Sequence, residues 1–378
     1  MNIGIVCYPT FGGSGVVATE LGKILATKGH SVHFISYDQP ARLDYFSQNL
    51  FYHEVTVSTY PLFQYPPYEL ALTGKIVEVV QSAKLDVLHV HYAIPHAAAA
   101  IMAKKILKDI NGIRIPVITT LHGTDITLVG KDPNYEGVVS YSLNQSDAIT
   151  SVSESLRADT FRFFKINKDI EVIPNFIDLD KYSRQMNCDY RNAFADNGKY
   201  IMMHTSNFRK VKRIEDVITI FNNVNKVKPS VLILAGDGPE RRTMEIMCAE
   251  LDITNSVYFL GKQDYIEKLL SIADVFLMPS ETESFGLAAL EAMACGVPVI
   301  CTNTGGMPEL NKHGYSGFIS DVGDTDTMTK YTLQLLESPE TLNNFRRNAR
   351  EHAGTFATEK IVPLYENLYT SLQHEVIV

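Results

Sequence analysis

The chain has 378 residues, 45% of them hydrophobic and 20% charged; this is too apolar for intrinsic disorder and too long for one core, so two domains of roughly 150–200 residues are expected. With 34 basic against 43 acidic residues the formal charge is -9, which argues against nonspecific nucleic-acid binding and leaves any anionic ligand to local cations. The five cysteines, Cys7, Cys188, Cys248, Cys295 and Cys301, lie far apart with no CxxC, so reduced thiols and a cytoplasmic location are expected rather than a disulfide framework or structural zinc.

Met1 to Pro9 lacks the basic and long apolar regions of a signal peptide and reads as a first strand, Ile3 to Cys7. Val17, Leu21, Ile24 and Leu25 then recur at helical spacing as far as Gly29, and Val32 to Ser36 is a strand. Ile76, Val79 and Val80 mark a helix, Val87 to Val90 a strand, Ala97 to Leu107 a helix, and Val117 to Leu121 and Ala148 to Val152 two more strands. No apolar run reaches the ~18 residues of a membrane span: Ala97 to Ala103 is stopped by Lys104 and Lys105, and no basic membrane-surface helix stands out. The pattern pauses at Ile173-Pro174-Asn175-Phe176-Ile177-Asp178 and through a polar stretch holding Asn187, Asp189, Asp196 and Asn197. It resumes with strands at Tyr200 to His204, Ser230 to Ala235, Val257 to Leu260, Val275 to Met278 and Val297 to Cys301, each followed by helical sequence. Near-continuous apolar strands alternating with helices imply parallel sheets covered on both faces, hence an α/β chain of two doubly wound, Rossmann-like domains. The expected division is 1–170 and 171–355, with 356–378 as a helical tail. Ligands of such sheets bind beyond the carboxyl ends of the strands, so the expected site is a cleft that the two domains face.

Four strand-end loops carry chemistry. Gly12-Gly13-Ser14-Gly15 opens the first helix, where glycines and free N–H groups suit a polar or anionic ligand. Gly13, Gly15 and Ala18 also satisfy G-x-G-x-x-A with Asp38 about 20 residues on, so an NAD-dependent oxidoreductase stays open beside a plain structural turn. Phe208-Arg209-Lys210-Val211-Lys212-Arg213 puts four cations within six residues at a strand end, either a solvated loop or a clamp for a diphosphate. Gly236-Asp237-Gly238-Pro239 is an ordinary turn or a nucleotide-contacting loop. Glu283-Ser284-Phe285-Gly286-Leu287-Ala288-Ala289-Leu290-Glu291 sets two carboxylates eight positions apart. If the helix begins near Phe285, Glu291 lies almost two turns in and the N–H groups of Phe285, Gly286 and Leu287 form an anion site; a solvated carboxylate pair or a glycosidase-type acid/base pair are the alternatives. His122 ends a strand in Leu121-His122-Gly123-Thr124-Asp125, as a core histidine or a site group. His89, His91 and His96 lack any HExxH or Cys partner, and no metal site is expected.

Together these motifs, with Val172 to Asp178 and the run Ala292-Met293-Ala294-Cys295-Gly296-Val297-Pro298, resemble the retaining glycosyltransferases of family 4, of the GT-B fold. More narrowly, Cys7 to Gly15, His89 to His96 and Ser206 to Arg213 resemble the members of that family that act in bacillithiol formation. The resemblance implies transfer of N-acetylglucosamine from its UDP donor to the hydroxyl of L-malate, with retention and with neither cofactor nor metal. It implies that Arg209 and Lys212 neutralise the diphosphate, that Glu283 holds donor sugar hydroxyls with His122 close by, and that Glu291 holds the ribose. Gly15, Ser206, Asn207, Gly238, Ser284, Phe285, Gly286 and Leu287 would complete the donor site. Malate would lie against Gly13, Ser14, Tyr92 and Thr120, with Arg42 as its cationic partner. The family spaces its Arg and Lys five apart, so Lys210, Lys212 and Arg213 all remain candidates for the second cation. The tail would cross back onto the first domain. Another acceptor, such as an inositol phosphate or a lipid-linked sugar, and a non-catalytic nucleotide-sugar sensor remain the rival readings. No nucleic-acid or stable membrane partner is expected, and homo-oligomerisation is left open.

Overall fold

The computed structural model describes residues 1–378 except 11, 44–46, 59–61, 63, 185–187, 196–197 and 378. Phe11 of the first glycine turn, and Asn187, Asp196 and Asn197 of the polar stretch, therefore lie outside the described residues. The chain divides into two compact units, Met1–Asn175 with Glu359–Val378, and Phe176–Thr358.

In the first unit β1 (Asn2–Val6), β2 (Ser31–Ser36), β3 (Leu50–Glu54), β4 (Val87–His91), β5 (Val117–Leu121), β6 (Ala148–Ser151) and β7 (Glu171–Val172) form one parallel sheet in the order β3-β2-β1-β4-β5-β6-β7. The central strands β4 and β5 are buried along their whole length, which is why they read as continuous apolar runs. Sequence pattern alone missed β3 and β7: Leu-Phe-Tyr-His-Glu is a half-exposed edge strand, and β7 pairs only two residues with β6. Because β7 completes the first sheet, the division falls after Asn175 rather than after residue 170.

The second unit repeats the plan. β8 (Tyr200–Ser206), β9 (Ser230–Gly236), β10 (Val257–Gly261), β11 (Val275–Met278), β12 (Val299–Thr302) and β13 (Gly317–Ser320) run parallel in the order β10-β9-β8-β11-β12-β13. The amphipathic helix Ile214–Asn225 buries Ile214, Val217, Ile218, Ile220, Phe221 and Val224 against the β8 and β9 side chains Met202, Leu232 and Leu234. Two doubly wound α/β domains are thus present. The last helix, Thr358–Ile377, belongs from Glu359 onward to the first unit, where Tyr365 and Tyr369 are fully buried and the Tyr369 hydroxyl lies 2.8 Å from His89 Nδ1. Among the described residues no helix is long and apolar enough to cross a membrane.

In each sheet the strand order reverses once, between β1 and β4 and between β8 and β11. A crevice opens at such a reversal because the two flanking connections leave the sheet toward opposite faces. The loops after β1 and β4, and those after β8 and β11, are the ones that hold the glycine, histidine, cationic and carboxylate motifs.

Candidate active site

In the second unit the loops after β8 and β11 are tied to one another. The Glu281 N–H donates to the Val211 carbonyl at 2.8 Å, and Lys212 Nζ donates to Glu283 Oε1 at 2.5 Å. Arg213, in contrast, turns away to form a forked pair with Asp216 at 2.6 and 3.1 Å, which separates it from the other three cations. Lys212 is thus the cation that meets a site carboxylate, and its ammonium keeps two further donors for another anion. Arg209 and Lys210 are exposed, and the Arg209 guanidinium has no hydrogen bond or ion pair among the described residues.

Backbone packing sets that geometry. Phe208 is fully buried and Arg213 ends a 3-10 turn, both at positive φ (36° and 48°), so the cation loop is held between two tight bends. Ser206 does not face outward: its hydroxyl lies 2.8 Å from His204 Nε2 and accepts the Phe208 N–H at 3.3 Å, while His204 Nδ1 meets the Leu277 carbonyl at 2.8 Å. The Ser206 side chain therefore shapes the bend before Arg209. Asn207 is exposed at the loop crest. A Cβ on Gly238 would come within 2.1 Å of the Asn207 carbonyl, so this glycine is needed for the two loops to touch.

The carboxylate segment differs from expectation in one respect. The helix runs Leu287–Ala294, capped by Gly286 at φ 95°, so Glu291 lies about one turn in, roughly 6 Å along the axis, and not almost two. Glu291 is buried and accepts a hydrogen bond from the Tyr182 hydroxyl at 2.6 Å. Phe285 packs its ring edge-on against Phe356, leaving only its backbone for a ligand, and Ser284 and Leu287 are half-buried beside it. The backbone N–H groups of 285–288 make no hydrogen bond among the described residues, which leaves four donors at the positive end of the helix. Glu283 is pinned from below: its carbonyl accepts the Gly306 N–H at 2.8 Å, and a Cβ on Gly305, at φ 56°, would lie 1.8 Å from that carbonyl. Gly305→Ala is expected to push Glu283 off Lys212 and to cost about 1–3 kcal/mol of stability, read from the denaturant midpoint. Sequence reading missed Gly305, Tyr182 and His204; only the paired glycines of Thr304-Gly305-Gly306, following a strand, would have pointed to the first, and nothing marked the other two.

In the first unit the structure brings Ser14 and Tyr92 together, hydroxyl to hydroxyl at 3.2 Å, with Gly13 exposed at the start of the helix Gly13–Thr27. Tyr8 stands edge-on to Tyr92 at 5.2 Å. Gly15 is buried, and a Cβ there would meet the Thr10 carbonyl at 2.4 Å, so its role in the turn is close packing. Thr120 joins this group through its backbone, its carbonyl accepting the Tyr92 N–H at 3.0 Å, while its side chain is fully buried, with its hydroxyl 2.6 Å from both His89 Nε2 and Thr150 Oγ1. The Thr120 hydroxyl thus belongs to a core hydrogen-bond network. Arg42 lies 3.9 Å from Glu20 of the first helix.

His122, just after β5, stacks on Tyr92 with ring centroids 5.5 Å apart and meets His91 edge to edge, its Nε2 2.8 Å from His91 Nδ1. Asp125 is buried and accepts the backbone N–H groups of Ala93 and Gly123 at 2.9 Å, fastening the β4 and β5 loops together. Desolvation pushes the His122 imidazole down to about 3, with His96 adding to the effect, so it is neutral near pH 7. Among the described residues no three His, Cys, Asp or Glu side chains converge in a cluster able to hold a metal ion.

Two parallel-sheet units with these strand-end loops define the class of nucleotide-sugar-dependent glycosyltransferases of the GT-B type. Solved structures of that fold agree: sucrose-phosphate synthase from Thermosynechococcus elongatus matches with a TM-score of 0.81 at 21% identity over 98% of this chain and 99% of that one. HepE of Anabaena, in complex with UDP-glucose, matches with a TM-score of 0.82 at 21% identity over 98% of this chain and all of that one. Family models for Glycosyltransferase Family 4 and Glycosyl transferases group 1 match residues 11–181 and 189–352. N-acetyl-alpha-D-glucosaminyl L-malate synthase of Bacillus anthracis is 47% identical over 371 residues, 98% of this chain and 96% of that protein. The chain belongs to glycosyltransferase family 4 and is an enzyme of that class.

Proposed function

We propose that the protein transfers N-acetylglucosamine from UDP-N-acetylglucosamine to the hydroxyl of L-malate, with retention at the anomeric carbon. The observation that carries this reading is the 47% identity to the Bacillus anthracis malate synthase along nearly the whole of both chains. The site geometry is in keeping with it. Breaking the bond from anomeric carbon to phosphate oxygen builds negative charge on the departing UDP. Arg209, Lys212 and the 285–288 N–H groups would meet that charge, stabilising the transition state more than the bound substrate. Glu283, held by Lys212 and Gly306, would orient sugar hydroxyls, and Glu291 with Tyr182 would take the ribose. The malate hydroxyl would attack the same face, its proton passing to a leaving phosphate oxygen as the new glycosidic bond forms. Ser14 and Tyr92 offer hydroxyls to the acceptor, and the neutral His122 sits beside Tyr92 as a group for the donor sugar. We further propose that no metal ion takes part and that the enzyme works in the cytoplasm.

Incubating purified enzyme with UDP-N-acetylglucosamine and L-malate, with and without EDTA, should yield the N-acetylglucosaminyl-malate adduct by mass spectrometry at equal rates. UDP release with an inositol phosphate or a lipid-linked sugar, and none with malate, would overturn the acceptor; a rate abolished by EDTA and restored by a divalent cation would overturn metal independence.

A further inference from the structure

The histidines of β4 and its loop are more than core filling. His89 and His91 are two apart on one strand and so share a face. His91 is fully buried, and the strand end that carries it is fixed by His96, whose Nδ1 lies 2.5 Å from the His91 carbonyl. The His91 ring has two nitrogens with unequal surroundings. Nδ1 faces His122 Nε2 at 2.8 Å, whereas Nε2 is sealed from solvent without a hydrogen-bond partner among the described residues.

That asymmetry selects a tautomer. One of the two facing nitrogens must carry the proton. Were it on His122 Nε2, His91 would hold its own proton on Nε2, a buried N–H with no acceptor, and orphaned buried N–H groups are rarer in proteins than unfilled acceptors. With the proton on His91 Nδ1, only a lone pair is left unfilled. We propose that His91 is a positioning residue for the transfer reaction: its Nδ1–H donates to His122 Nε2, so that His122 is held as the Nδ1–H tautomer and presents that N–H to the donor sugar. His122 Nδ1 makes no hydrogen bond among the described residues and is not among the sealed polar atoms, so it is open to a ligand. Stacking on Tyr92 and the Asp125 anchor of the following turn fix the ring's plane, and His91 fixes its proton. Desolvation holds both imidazoles neutral near pH 7, the condition under which a tautomer has meaning. The functional part of the proposal rests on the reading of His122 as a sugar-facing group; the tautomer stands on the geometry alone.

The test separates the two. In the full chain labelled with ¹⁵N-histidine, with His122 signals assigned by their loss in His122→Ala, long-range ¹H–¹⁵N correlation should show His122 protonated on Nδ1. His91→Phe, which removes the donor and keeps an aromatic ring, should shift His122 toward the Nε2–H form. It should also lower kcat about 10- to 100-fold, with KM for UDP-N-acetylglucosamine within about twofold. His91→Asn, whose amide nitrogen falls near the place of Nδ1, should restore both the tautomer and most of kcat. A wild-type spectrum with His122 protonated on Nε2 would overturn the proposal, as would a His91→Phe enzyme with unchanged kcat and tautomer. Should His91→Phe fail to fold, the wild-type spectrum and His91→Asn decide in its place. Full activity in His122→Ala would instead overturn the sugar-facing reading, while the spectrum still tests the tautomer.

Discussion

Arg209→Ala is expected to lower kcat about 10²- to 10³-fold, about 3–4 kcal/mol of barrier, while the melting temperature stays within about 2 °C. The two readouts part because of how the loop is built. Arg209 is exposed and unpartnered among the described residues, so its removal breaks no contact that holds the fold. Its backbone still closes the turn, the carbonyl accepting the Lys212 N–H at 2.8 Å. In the proposed reaction its guanidinium meets charge that grows as UDP departs, so its loss falls on the barrier more than on donor binding. Lys212→Ala makes the contrast. It strips the counter-ion from the half-buried Glu283 and should lower both activity and melting temperature. An Arg209→Ala enzyme that melts several degrees lower and keeps its specific activity would mean that the loop is structural and that the diphosphate is held elsewhere.

These contrasting expectations also mark where the sequence was readable and where it was not. Parallel strands such as β4, β5, β8 and β11 announce themselves because both faces are buried, whereas β3 and β13 lie at sheet edges and β7 spans two residues, leaving too little apolar pattern to see. The cation loop and the carboxylate segment were visible as anomalies of charge in an acidic chain. Which cation faces the site was not, since Lys212 and Arg213 differ only in the partners that folding supplies, Glu283 for one and Asp216 for the other. The hydrogen bonds of Thr120 were hidden for a related reason. Alternation on β5 fixes which face a residue takes, but not that the His89 and Thr150 side chains would already occupy its hydroxyl. The Tyr182–Glu291 bond spans 109 positions and leaves no local trace. Three histidines within eight residues drew attention as possible ligands, yet their pairing depends on a fourth, His122, brought over by the neighbouring strand.

The same histidines make the first unit acid-labile. His89, His91 and His96 are fully buried; desolvation lowers His89 to about 3 and His96 to about 4, and takes His91 well below its ordinary value of 6.5. Their folded pKa values lie under the unfolded ones, so below pH 6.5 the unfolded chain binds protons that the folded chain refuses. The stability they confer is complete above about pH 6.5 and is lost as pH falls toward 4. Each such group contributes about 1.4 kcal/mol per pH unit in that window, so three together give about 4 kcal/mol per unit, and about two units consume the whole stability of an ordinary domain. Asp125 and Glu171 oppose this, because burial raises their pKa values and lets the folded state take up their protons first, but His122, His33 and His53, lowered by burial like the other three, add to the loss. Glu366 of the Thr358–Ile377 helix, which burial alone would raise but hydrogen bonds with Lys28 and His30 hold low, adds to the loss on acidification. Thermal melts at roughly half-unit steps from about pH 7.5 to 4.5 should therefore show a steep fall below about pH 6. His96→Gln should make the fall shallower, since the amide cannot titrate. A melting temperature that is flat from about pH 7 to 5 would mean that these imidazoles are hydrated in solution, and with them the neutral His91–His122 pair would fall.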